Sequence, residues 1–81
     1  MNTLKIEAHP CAEKVQFTDA EMIVYLMDGR KISVPIAWFP SLSVAKKEQL
    51  EDYELLGDGD GIHWPQLDED LSVKGLLLGF H

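Results

Sequence analysis

The segment from Met22 to Ile36 leaves few folds open to this chain. Met22 to Met27 (MIVYLM) is an unbroken apolar run. Asp28-Gly29 follows, and Ile32, Val34 and Ile36 then alternate with Lys31, Ser33 and Pro35. Alternation with period two marks a strand with one buried face. Asp-Gly between two such runs signals a hairpin, because a type I′ turn needs positive φ at both central residues. Val15 and Phe17 alternate with polar neighbours just upstream, so a β-hairpin unit spans about 14–36. The unbroken run implies that both faces of its strand are at least partly covered. Pro35 removes a ladder donor, so pairing ends there or lies on an edge.

The remainder reads as short elements. Trp38 and Phe39 precede Pro40, as in a turn that drops two aromatics into the core. Ser43 suits the N-cap of a helix near 43–52, with Val44, Leu50 and Tyr53 marking its inner side and Glu48 and Glu51 in solvent. Tyr53 to Leu56 fits either the end of that helix or a short strand near 53–57. A second short strand is expected near 61–64, with Ile62 and Trp64 facing inward and His63 outward. Asp70 or Ser72 would cap a short C-terminal helix whose Leu76, Leu77 and Leu78 plug the core. The fold class is α+β: a small antiparallel sheet packed with one helix and a short C-terminal helix, as a single domain over 1–81.

With 46% hydrophobic and 26% charged residues, the chain has the composition of a folded protein. Its net charge of −7 and pI near 4.7 argue against binding phosphate backbones or anionic membranes. The longest basic runs are the pairs Arg30-Lys31 and Lys46-Lys47. A cationic partner fits better. The one cysteine, Cys11, permits neither an internal disulfide nor a cysteine-based zinc site. The N-terminus lacks a signal-peptide apolar region, and no apolar run approaches the ~20 residues that span a bilayer. The expected location is the cytoplasm, without a membrane role.

Unusual residues concentrate in 57–75, GDGDGIHWPQLDEDLSVKG. Asp58, Asp60 and Glu69 fall at positions one, three and twelve of a calcium loop. However, Ile62 occupies position five, a ligand position, and His63 replaces the invariant glycine of position six. His63 with Asp68 and Asp70 offers nitrogen and oxygen ligands to a transition metal, but no spacing motif supports the set. Asp68-Glu69-Asp70 are adjacent, whereas paired acid–base carboxylates usually come from separate elements that split their pKa values. A solvated turn leading into a helix N-terminus is the simpler reading. Gly57, Gly59 and Gly61 resemble a phosphate loop, but Asp58 and Asp60 would repel phosphate. From physics alone the stretch is a structured corner: a Gly-Asp turn with positive φ, then a half-buried strand with Trp64 in the core. No catalytic, metal or cofactor set emerges.

Two strings carry a resemblance. R-K-I-S-V-P-I-A-W-F-P-S-L and G-D-G-D-G-I-H-W-P-Q-L-D-E-D-L-S-V-K-G-L-L are similar to the VPxxWFPxL and GIHWPxLDEDLSVxGLL motifs of the domain-of-unknown-function 2442 family, from about Val15 to Leu78. The first motif normally carries arginine where this chain has Ser41, so a role for that charge does not transfer. The resemblance implies a small bacterial or phage-like α+β protein. Some members are fused to a helix-turn-helix domain, and many are encoded beside another small protein, as antitoxin-like partners are. This chain stops at His81, so no helix-turn-helix is expected. The expected function is therefore a non-enzymatic protein-binding module, the acidic member of a toxin–antitoxin-like two-gene pair. Its partner would be the neighbouring-gene product or a second copy of the chain. Gly61, Ile62, His63, Trp64, Pro65, Asp68, Glu69 and Asp70 form the expected binding surface. The alternative is a small-molecule or metal-binding enzyme using His63 with Asp68 or Asp70.

Overall fold

The computed structural model describes residues 10–79. His9, Phe80 and His81 lie outside that range. The described chain contains β1 (Ala12–Phe17), β2 (Glu21–Leu26), β3 (Lys31–Pro35), a 3₁₀ turn (Ile36–Trp38), α1 (Pro40–Ser43), α2 (Lys47–Glu51), β4 (Glu54–Leu56), β5 (Gly61–Trp64), β6 (Glu69–Ser72) and α3 (Val73–Leu78). This is an α+β fold. The strands form two antiparallel sheets, β1-β2-β3 and β4-β5-β6, rather than one extended sheet.

In the first sheet Met22, Val24 and Leu26 face the core, and Ile23 and Tyr25 lie half-buried on the other side. Register places Lys14, Tyr25 and Lys31 in one row. The two ammonium groups lie 4.7 and 5.7 Å from the Tyr25 ring centroid, which is how the second face of β2 is partly covered. A bulge at Glu13 shifts the β1 register, so Ala12 and Val15 both point inward although three residues apart.

The β2–β3 connection differs from the expected type I′ turn. Gly29 has φ 97° but Asp28 is not in the positive region. Gly29 N–H donates to Leu26 O at 3.0 Å, and Leu26 N–H donates to Arg30 O at 2.8 Å. That pattern is a type I turn closed by a glycine bulge, which needs positive φ only once. The Asp28 carboxylate accepts from Arg30 N–H at 3.0 Å, the main reason its pKa lies below the usual value.

The expected helix near 43–52 is two short helices. Pro40 starts α1 at N1, where its missing N–H costs nothing, so Ser43 closes a helix instead of opening one. Val44 is 83% exposed, leaving Leu50 as the one buried residue of α2. A segment with so little apolar face has no packing to hold a continuous helix. Trp38, expected in the core, is 42% exposed. Residues three apart eclipse in a 3₁₀ turn, so half-buried Ile36 and buried Phe39 share the inner side and Trp38 turns outward.

Trp64 is fully buried, as its alternation with His63 implies. Its indole N–H donates to Leu50 O at 3.0 Å, and its ring meets Phe17 edge-on with centroids 6.3 Å apart. The Gly-Asp turn has the expected positive φ at Gly57 and Gly59, 59° and 100°. Gly59 also accepts from Ala12 N–H at 2.6 Å, and a Cβ there would lie 2.3 Å from Ala12 O. Only glycine permits that approach of the loop to β1. Asp68-Glu69-Asp70 is not a helix N-terminus. Asp68 ends the preceding loop at φ 52°, Glu69 and Asp70 begin β6, and the Ser72 hydroxyl caps α3 by accepting from Gly75 N–H at 3.1 Å. Leu76 is buried, but Leu77 and Leu78 are 40% and 59% exposed. A helix turns ~100° per residue, so three consecutive leucines cannot share one buried side.

Replacing Trp64 by alanine should cost ~3–5 kcal/mol in urea denaturation, enough to unfold much of a domain this small. Trp38→Ala should cost less than ~1 kcal/mol. A Trp64→Ala midpoint matching wild type would contradict the core described here. Gly59→Ala should destabilise by more than ~1 kcal/mol, through positive φ and the Ala12 clash together.

Candidate recognition surface

The second sheet has an acidic outer face. Register places Glu54, His63 and Asp70 in one row across β4, β5 and β6. The Asp70 carboxylate hydrogen-bonds His63 Nδ1. The His63 pKa is raised, first by this hydrogen bond; desolvation opposes the rise, and the charges of Asp70, Glu54 and Asp68 add to it. The structure thus brings His63 and Asp70 together. Asp68 acts on His63 through its charge and supplies no hydrogen bond to it. Among the described residues no group of three or more His, Cys, Asp or Glu side chains is arranged to hold a metal. The calcium-loop spacing dissolves as well, since Ile62 lies in β5 and fully buried, and Glu69 lies in β6.

Beside β6 the inner layer stays open. A groove of about 520 Å³ is lined by Trp38, Phe39 and Pro40, by every residue of β6, and by Lys74, Leu76 and Leu78 among others. Its surface combines the exposed parts of Trp38 and Leu78 with Glu69, and Asp70 lines it from β6 while its carboxylate stands on the outer face beside His63. Ser41, where the chain departs from the arginine of the motif, donates its hydroxyl to Glu69 Oε1 at 2.6 Å. A neutral donor fixes that carboxylate without cancelling its charge.

The expected surface residues divide between outside and inside. His63, Pro65, Asp68, Glu69 and Asp70 reach solvent fully or in part, and Gly61 is half-buried. Ile62 and Trp64 have no exposed area and cannot touch a partner. Strand alternation decides this: the residues flanking His63 must face the core. The groove adds Trp38, Pro40 and Leu78, which lie outside 57–75, and Leu71, a residue of that stretch that the expected surface omits. The available signal was the Trp-Phe-Pro string together with the triple leucine, too many large apolar residues for one small core.

The profile of the family described as "Protein of unknown function (DUF2442)" matches residues 12–81. The chain belongs to the DUF2442 family. A crystallised protein of unknown function from Rhodospirillum rubrum ATCC 11170 is similar to this DUF2442 chain, with 37% identity, a TM-score of 0.77 and 90% of each chain covered. An uncharacterised Chromobacterium violaceum protein solved by solution NMR is 27% identical, with a TM-score of 0.72 over 85% of this chain and 65% of that one. No curated protein matches. Among the described residues of this DUF2442 protein, no helix is long and apolar enough to cross a membrane.

The raised His63 pKa fixes the sign of a pH effect. Stabilisation from the His63–Asp70 contact is fully present below the ordinary histidine value of 6.5 and is lost as pH rises through the folded value. The melting-temperature advantage of wild type over His63→Gln should therefore be larger at about pH 5.5 than at about pH 8. An advantage unchanged between those conditions would show that the contact is not ionic.

Proposed function

We propose that this protein is a non-enzymatic protein-binding module, the acidic member of a two-gene pair, and that it recognises its partner through the groove beside β6. One observation carries the reading. Trp38 stays 42% exposed in a groove that it shares with the exposed Leu78, with Glu69 on the groove side of β6 and the Asp70 carboxylate on the adjoining outer face. A half-exposed tryptophan in an apolar groove has the character of an interface anchor, and a carboxylate edge selects a basic partner and speeds encounter. The net charge of −7 acts in the same direction at longer range.

A second reading, a small-molecule or metal site at His63 with Asp68 or Asp70, rests on the His63–Asp70 contact. It has less support. The Asp70 side chain is 71% exposed on an open sheet face, where water competes for every ligand. Were it correct, adding zinc would raise the melting temperature, since a ligand that binds the native state stabilises it.

Titration with the purified product of the adjacent gene tests the first reading. Binding should be micromolar or tighter at low salt and should weaken as salt rises. Trp38→Ala should weaken it by about tenfold or more while leaving the fold intact. If the purified pair fails to associate at micromolar concentration and low salt, the pairing idea is wrong.

A further inference from the structure

The groove lies along an unpaired strand edge. Among the described residues the order β4-β5-β6 leaves β6 with a neighbour on one side only. Just beyond the paired residues, Val73 N–H donates to Asp60 O at 3.0 Å. Bonded pairs alternate along an antiparallel ladder, so Leu71 and Glu69 turn their backbone groups toward β5, and Asp70 and Ser72 turn theirs away. The Ser72 carbonyl is taken by the first turn of α3, because Ser72 is its N-cap. Among the described residues, Asp70 N–H, Asp70 C=O and Ser72 N–H remain on the edge without a strand partner.

Side chains alternate across this edge as well. Leu71 faces the groove, near Leu76 and Trp38, while Asp70 stands on the outer face in the row with His63 and Glu54. A strand laid against β6 would therefore send alternate side chains into an apolar groove and the others beside carboxylates.

We propose that β6 accepts an extended segment of a partner protein as a fourth strand, and that this segment alternates apolar and basic residues. The apolar residues would cover Trp38 and Leu78, and a lysine or arginine would pair with Asp70. The proposal rests on the protein-binding reading above and specifies its mode. Charge decides the occupant. A second copy adding its own β6 would bring Glu69 and Asp70 against the same carboxylates, and like charges facing across strands are destabilising. Lys74 is the one basic residue lining the groove, against two carboxylates.

The probe is a blocked heptapeptide alternating valine and lysine, titrated into the ¹⁵N-labelled protein. Controls are the same composition with valines and lysines in separate blocks, and an alternating valine–glutamate peptide. The alternating valine–lysine peptide should shift the Asp70 and Ser72 amide and Trp38 indole resonances and bind about tenfold tighter than either control. Two further peptides leave the protein untouched, each N-methylated on one alternate set of residues. Methylating the set whose N–H groups face β6 should abolish binding, and methylating the other set should not. Asp70→Asn keeps the edge donor and Asp70→Pro removes it, so the proline variant should bind about tenfold more weakly than the asparagine variant. Equal binding of both methylated peptides, or of the blocked-composition control, overturns strand addition. If the adjacent-gene product still binds and still depends on Trp38, only the mode has failed. If neither that product nor about 1 mM peptide moves the groove resonances, both proposals fail.

Discussion

The fold depends on burying one indole. Trp64 has no exposed surface, and a buried N–H without a partner would cost much of what its ring contributes. Leu50 O removes that cost, and in doing so it fixes α2 against β5. The same ring stands edge-on to Phe17 of β1 and so joins the two sheets through one side chain. The backbone bond from Ala12 to Gly59 makes a second junction between the first sheet and the loop leading into β5. Two sheets of three short strands each would have little stability apart. Together they and the helices enclose one buried cluster.

The same economy leaves the layer beside β6 open. The second sheet is narrow and ends at β6, and the short α3 covers only part of its flank. The chain has no further strand in its described residues to close that edge. The 3₁₀ turn sends Phe39 inward and Trp38 outward, so the open flank acquires an aromatic wall. The groove is thus a consequence of how few elements the core uses, and its acidic edge comes from β6 itself.

The strands of the first sheet were legible because the apolar residues of β1 and β3 alternate, β2 is an unbroken apolar run, and an Asp-Gly turn follows it. The β5 strand was legible for the same reason, with Ile62 and Trp64 either side of His63. The helix near 43–52 was not, because Ser43 and Pro40 are both good helix starters and local propensity does not rank them. The acidic triplet misled in another way. Its charge fits a helix N-terminus, but β6 pairs Asp70 with His63 and Leu71 with Ile62, and that pairing exists only once β5 is in place. Two residues of the expected surface, Ile62 and Trp64, lie inside for the same reason: a contiguous motif ignores strand alternation.

The hairpin unit, the Gly-Asp corner, the burial of Trp64 and the acidic character of the molecule are all written in the order of the residues. Each follows from local backbone chemistry, from period-two patterning or from composition. Tertiary structure alone decided that there are two sheets, that Trp38 faces out, and that residues from Trp38 to Leu78 converge on one groove. Those outcomes depend on which elements pack together. Contacts between residues 30 or more apart are set by the competition of all apolar faces for one small core, and no local pattern encodes the result of that competition.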